Sequence, residues 1–160
     1  MTGDDMPELN IGDLAPAFDL PTDGGGQVKL SDLKGKAVVL YFYPKDDTSG
    51  CTSEAQGFTA SADDFKKAAA VVIGVSKDSV KSHEKFKAKY DLDLTLAADE
   101  SGEMVERYGA WVEKSMYGRK YMGIDRSTFL IGPDGVIKQV WRKVKVPGHV
   151  DAVLKAVKTL

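Results

Sequence analysis

The chain alternates between short, wholly apolar runs and longer segments whose apolar residues recur every three or four positions. "AVVLYFY" (37–43) and "AVVIGV" (70–75) carry no polar residue and are rich in β-branched or aromatic side chains. Such runs predict strands buried on both faces. Between them Ala55, Phe58, Ala62, Phe65 and Ala69 recur at helical spacing, which predicts one amphipathic helix starting near Cys51. After the second strand Val80, Phe86 and Tyr90 define the apolar face of another helix, and His83 shares that face as a partly packed structural histidine. "LTLAAD" predicts a third short strand and "SGEMVERYG" a short helix. "STFLI", "GPDG" and "VIKQVW" predict a hairpin with Pro133 and Gly135 in its turn. Val150, Val153, Leu154 and Val157 place a last amphipathic helix after Pro147-Gly148.

Before the first buried strand, "APAFDL" and "QVKL" read as short strands around the glycine-rich "PTDGGG", and "SDLKGK" as one helical turn ending on Gly35. Residues 1 to about 12 read as a loosely attached arm, with 1–8 its flexible part. Residues 110–124, "AWVEKSMYGRKYMGI", read as a long loop. A crossover helix between two buried strands implies that they pair in parallel, and the later hairpin adds antiparallel strands. The expectation is an α/β chain, one domain over 1–160. Its layout is thioredoxin-like: a mixed central sheet flanked by helices, with additional N-terminal strands.

Composition narrows the function. Hydrophobic residues make up 42% and charged residues 29% of 160 residues, an ordinary globular balance. A net charge of -2 without a basic block gives nucleic-acid binding no electrostatic support. No apolar run approaches the ~18 residues that would span a bilayer. The polar, acidic start is unlike a secretory signal, and a single cysteine favours a reducing, cytoplasmic setting. One cysteine and two scattered histidines make a zinc site a poor fit.

That cysteine, Cys51, falls where the first buried strand gives way to the helix. Unpaired N–H groups and the macrodipole at a helix start favour an anion, and the thiolate is the reactive form of cysteine. Gly50 just before it can adopt torsions other residues avoid. The competing reading is a small buried hydrophobe. Pro44 ends the strand, and Thr48 suits a helix cap.

"PKDDTSGC" (44–51) resembles the P-x-x-x-T-x-x-C signature of the peroxiredoxins. "YFYPKDDTSGCTSEAQGF", "GVSKDS" and "GRKYMGIDRSTFLIGPDG" extend the similarity to the bacterioferritin-comigratory, or Q, type over roughly residues 9–159. The resemblance implies a thiol peroxidase that reduces hydrogen peroxide and organic hydroperoxides through a sulfenic acid on Cys51, without metal or organic cofactor. It assigns Thr48 to bind the thiolate and a peroxide oxygen, Pro44 to shield the pocket, and Arg126 to supply the pocket cation. Glu54 either orients Arg126 or is simply an acidic residue in the first helical turn. Many members carry a resolving cysteine five residues after the first. Here that position is Gln56, so the sulfenic acid requires an external thiol: thioredoxin, or glutathione with glutaredoxin. The alternative is a redox-sensing or chaperone-like protein with little turnover. A monomer or weak homodimer is expected. Trp111, Tyr117 and Tyr121 either rim the pocket or pack on the core, and His149 opens the last helix without a companion.

Overall fold

The computed structural model describes residues 9–160, so the arm expected over 1–8 lies outside the described residues. The rest of that segment is tethered: Gly12 N–H donates to the Ile137 carbonyl (2.8 Å) and Ile137 N–H to the Asp13 carbonyl (2.9 Å).

The first buried run forms β3 (Ala37–Phe42), following the short antiparallel pair β1 (Asp19–Pro21) and β2 (Gln27–Lys29). β3 occupies the centre of a five-stranded sheet in which β4 (Ala70–Ser76) lies parallel on one side and β8 (Ser127–Ile131) antiparallel on the other. β5 (Thr95–Ala98) and β9 (Ile137–Trp141) complete the edges. The strand is apolar throughout because both its faces are covered. Ala37, Val39, Tyr41 and Tyr43 point into one core; Val38, Leu40 and Phe42 point into the other.

The first core is closed by α1 (Ser49–Ala60), α2 (Ala62–Lys67), α3 (Val80–Tyr90) and α5 (His149–Lys158), which contribute Cys51, Ala55, Phe58, Phe65, Phe86 and Val153. α5 approaches α1 closely: a β-carbon on Gly57 would lie 2.9 Å from Val150 Cγ2. The second core lies under α4 (Glu103–Arg107), Phe18 and Tyr108. This is the expected thioredoxin-like arrangement. No helix among the described residues is long and apolar enough to cross a membrane.

Two local expectations change. The single helix expected from Cys51 to Ala69 is two helices, because Ser61 leaves helical torsions (φ -101°, ψ 11°). Ala69 is exposed, with a φ of 56°, and belongs to the turn that feeds β4. The segment 110–124 is not a loop but a hairpin of β6 (Trp111–Met116) and β7 (Arg119–Ile124), turned at Tyr117 (φ 53°) and Gly118 (φ 77°). Two successive positive φ values are the mark of a tight hairpin turn.

Candidate active site

The site begins where β3 ends. Tyr43 N–H still donates to the Val75 carbonyl (3.1 Å), but Pro44 has no N–H and ends the ladder. The chain crosses to Thr48, extended at φ -98° and ψ 157°, which is the N-cap residue of α1. Its hydroxyl does not cap the helix. It donates instead to the Lys45 carbonyl (2.9 Å), which leaves the oxygen lone pairs of Thr48 as acceptors. Thr52 N–H makes the first helical bond, to the Thr48 carbonyl (2.8 Å), so the N–H groups of Ser49, Gly50 and Cys51 have no partner within the helix.

Cys51 is 1% exposed, and its sulfur receives a hydrogen bond from Arg126 Nη2 at 3.3 Å. Arg126 precedes β8, whose antiparallel register sets Ser127 opposite Phe42 and so brings the arginine to the same end of the sheet. Its other nitrogen, Nη1, donates to Glu54 Oε1 at 2.7 Å. Glu54 is fully buried and sits three residues from Cys51, on the same side of α1. One guanidinium therefore spans thiol and carboxylate, as a rigid fork of donors can.

Burial pushes the Glu54 carboxyl up to about 7, and the guanidinium pulls it back only in part. Its Oε2 is buried without a hydrogen-bond partner. Glu54 is thus a buried residue near the start of α1 that also pairs with Arg126. Gly50 is helical, so its use is space and not unusual torsion: a β-carbon there would lie 3.1 Å from Arg126 Nη2.

The remaining sequence candidates are distributed as follows. Pro44 and Thr48 are exposed, on the loop before α1, and Gln56 is exposed on α1 itself. Tyr117 is 98% exposed at the tip of the β6–β7 hairpin, and Tyr121 is also exposed, so neither packs on the core. Trp111 is half-buried, with Lys77 Nζ 4.2 Å from its ring centroid. His149 does have a companion: its Nε2 lies 2.7 Å from Thr128 Oγ1. Burial first, and Arg126 second, lower its pKa to about 4. His83 is completely buried and meets Asp46, a residue that sequence reasoning passed over. Its signal was the position of an acidic residue inside an apolar-to-helix junction.

A profile of the AhpC/TSA family matches residues 11–140. Peroxiredoxin Bcp of Bacillus subtilis is 48% identical over 152 residues, covering 95% of this chain and 97% of its own. Peroxiredoxin Bcp of Escherichia coli K12 is 43% identical over 153 residues, covering 96% and 98%. Among solved structures, a mutant of Xylella fastidiosa PrxQ superposes with a TM-score of 0.91 at 40% identity, over 96% of this chain and 98% of that one. Xanthomonas campestris peroxiredoxin Q gives 0.85 at 47% identity, over 89% and 90%. A buried thiol at a strand-to-helix junction of a thioredoxin-like fold, gripped by an arginine, defines a thiol peroxidase class. The chain belongs to the AhpC/TSA family, among the peroxiredoxins of the bacterioferritin-comigratory type.

Proposed function

We propose that this chain reduces hydrogen peroxide and organic hydroperoxides by a one-cysteine mechanism centred on Cys51. The observation that carries the reading is the hydrogen bond from Arg126 Nη2 to Cys51 Sγ (3.3 Å), on a guanidinium held by Glu54. Related chemistry is the subject of work on alkyl peroxide reduction by the Xanthomonas campestris bacterioferritin-comigratory protein.

In the first step the Cys51 thiolate attacks one peroxide oxygen in line. The S–O bond forms as the O–O bond breaks, and the departing oxygen leaves with the electron pair as alkoxide or hydroxide. A proton then makes it an alcohol or water. Charge grows on that oxygen, and Arg126 together with the unpaired N–H groups of the first helical turn stabilises it there. The Thr48 oxygen accepts the peroxide O–H, which orients the substrate. Pro44 shields the pocket from bulk water. Cys51 is left as a sulfenic acid.

Residue 56 is glutamine and no second cysteine exists in the chain, so resolution is external. A reducing thiol attacks the sulfenic sulfur and releases water, forming a mixed disulfide. A second thiol then cleaves that bond and restores Cys51. Thioredoxin, or glutathione with glutaredoxin, meets this chemical requirement in a reducing compartment such as the cytoplasm. The protein acts as a monomer or weak homodimer. A chaperone without redox chemistry would have no need of the guanidinium clamp, and a redox sensor that uses the same activated thiol differs in showing no sustained turnover with added thiol.

The test is steady-state consumption of hydrogen peroxide and cumene hydroperoxide with dithiothreitol, thioredoxin or glutathione plus glutaredoxin. A sulfenic-acid probe should label Cys51 after one equivalent of peroxide. Absence of labelling, with no consumption under any thiol, would overturn the proposal.

A further inference from the structure

Behind the Pro44–Thr48 loop lies a second set of buried polar side chains that the Cys51 chemistry does not use. Asp46 is 8% exposed. Its Oδ1 accepts from the Tyr43 hydroxyl (2.5 Å), and its Oδ2 accepts from the Ser82 hydroxyl (2.8 Å). The same Oδ2 lies 2.7 Å from His83 Nδ1. His83, fully buried on α3, places its other nitrogen, Nε2, 2.9 Å from the Ala97 carbonyl on β5.

The two nearest partners of this imidazole are acceptors, and the Tyr43 hydroxyl, 3.3 Å from Nδ1, gives its own proton to Asp46 Oδ1. A carbonyl can only accept, and so can an ionised carboxylate, whereas a neutral imidazole has a single N–H to give. Only the doubly protonated ring serves both contacts. Asp46 meanwhile accepts from the Tyr43 and Ser82 hydroxyls, which leaves it in the acceptor role toward the ring as well.

The charged and titratable groups around His83 fit a cation. Asp46 comes from the loop, Asp78 from the β4–α3 connection, Tyr43 from beyond β3 and the Ala97 carbonyl from β5. Asp78 also accepts from Asp46 N–H (2.8 Å) and the Ser76 hydroxyl (2.7 Å). Burial works most strongly against the charge on His83, but Asp46, the Ala97 carbonyl and Asp78 together outweigh it, so its pKa ends above the ordinary value.

The loop is tied to the far end of α3 as well. Asp47, held at a φ of 59° that is uncommon outside glycine, accepts from Lys89 Nζ (2.7 Å) and the Tyr90 hydroxyl (2.6 Å). Two consecutive loop residues thus strap Pro44 and Thr48 to α3.

We propose that His83, as an imidazolium bridging Asp46 and the Ala97 carbonyl, is a positioning residue that fixes the Pro44–Thr48 loop over Cys51. It thereby sets both the order of the peroxide pocket and the access of an external thiol to the sulfur. The effect on peroxide rests on the peroxidase reading above; the protonation of His83 and the tethering of the loop do not. With Cys51 only 1% exposed, a firmly held loop favours the peroxide step, and a loosened one favours entry of a thiol. The strut is complete below pH 6.5, the ordinary histidine value, and is withdrawn as pH rises through the elevated value of the folded protein.

Two measurements decide it. Ring-nitrogen NMR of the wild-type protein at pH 6.5, where an ordinary histidine is half charged, should show His83 mostly protonated on both nitrogens, with the proton lost only as pH rises further; a neutral tautomer predominating at pH 6.5 overturns the proposal. In His83→Asn, which keeps a donor toward Asp46 but loses the charge and the reach to Ala97, the second-order peroxide rate constant should fall roughly ten- to a hundredfold, as expected of a small misplacement. Alkylation of Cys51 by iodoacetamide, and reduction of its sulfenic acid by thiol, should stay the same or accelerate. Amides 45–49 should exchange hydrogen faster. Wild-type peroxide reactivity with unchanged exchange overturns the proposal, and so does an equal loss in peroxide reaction and alkylation. If His83→Asn does not fold, Asp46→Asn carries the same expectations, since it keeps the shape and the Tyr43 and Ser82 contacts. Should the wild-type protein consume no peroxide, the peroxidase reading fails, while the NMR, exchange and alkylation results still judge the strut.

Discussion

Arg126 can lie across the first turn of α1 because Gly50 has no side chain: a β-carbon at residue 50 would stand 3.1 Å from Arg126 Nη2. The same nitrogen donates to Cys51 Sγ. Gly50→Ala should therefore shift the guanidinium by a few tenths of an ångström relative to the sulfur and slow peroxide reduction by up to roughly tenfold, as a small misplacement does. Stability should hold or rise by up to about 1 kcal/mol, since alanine is the better helix former. Stopped-flow peroxide kinetics beside a thermal melt would check the split. Full activity in the alanine variant would show that Arg126 tolerates the shift.

Arg126→Lys should be far from conservative. An ammonium on a flexible stem cannot span Cys51 and Glu54 as a planar fork does. Loss of such a donor to developing charge typically costs ~100- to 1,000-fold in rate. An unchanged second-order rate constant would remove Arg126 from the reaction.

Glu54 predicts a contrast between two substitutions. Glutamine retains an oxygen to accept from Arg126 Nη1, so Glu54→Gln should keep most activity. Glu54→Ala leaves the guanidinium without its anchor and should cost about 1.5–3 kcal/mol, roughly ten- to a hundredfold in peroxide rate. Because the carboxyl rises from 4.5 to about 7 on folding, its contribution to stability is full below pH 4.5 and is lost as pH climbs through 7. Urea melts across that range should show a slope in the wild type that Glu54→Gln lacks.

His149 has the opposite sign. Its pKa drops from 6.5 to about 4 on folding, so its contribution is full above pH 6.5 and is lost as pH falls through 4. That drop is equivalent to about 3 kcal/mol at most. His149→Gln, which can still bond Thr128 from the Nε2 position, should lose less stability than the wild type between pH 6.5 and 4. Identical acid titrations of the two proteins would count against this account.

Gln56→Cys tests how firmly α1 is wound. Residues five apart on a helix point about 140° from one another at ~3.6 residues per turn. Cys51 faces the core and residue 56 faces solvent, within one helix that runs from Ser49 to Ala60. A bond between them requires the first turns to unwind. Mass spectrometry after one equivalent of peroxide should find the intramolecular disulfide forming slowly in the variant. The wild type should make no second turnover without added thiol; repeated turnover would sink the one-cysteine mechanism.

Local order was legible in the chain because it depends on neighbours. The apolar run 37–43 announces a strand covered on both faces, and β3 is one. The break at Pro44, the thiol at the junction and the helix after it follow from residue types within a few positions. The octet ending at Cys51 pointed to the chemistry. The β6–β7 hairpin escaped notice because both its strands are largely exposed and carry little apolar alternation, although Tyr117-Gly118 marks its turn.

Contacts between distant residues were another matter: only the family resemblance placed Arg126 at the Cys51 pocket, and residue types and periodicity did not. Arg126 reaches Cys51 across 75 residues and Glu54 across 72, and it does so because β8 pairs with β3 in the register that sets Ser127 opposite Phe42. His83 meets Asp46 across 37 residues because β4 runs parallel to β3, which brings α3 and the Pro44–Thr48 loop to the same end of the sheet. The sequence by itself determined the strands and helices that build the two cores, though not the β6–β7 hairpin or the break at Ser61, together with where the thiol sits and what chemistry it suits. Only the tertiary structure decided which buried charges meet. Periodicity reports the face a residue turns to the core, while strand order and register choose the partner it finds there.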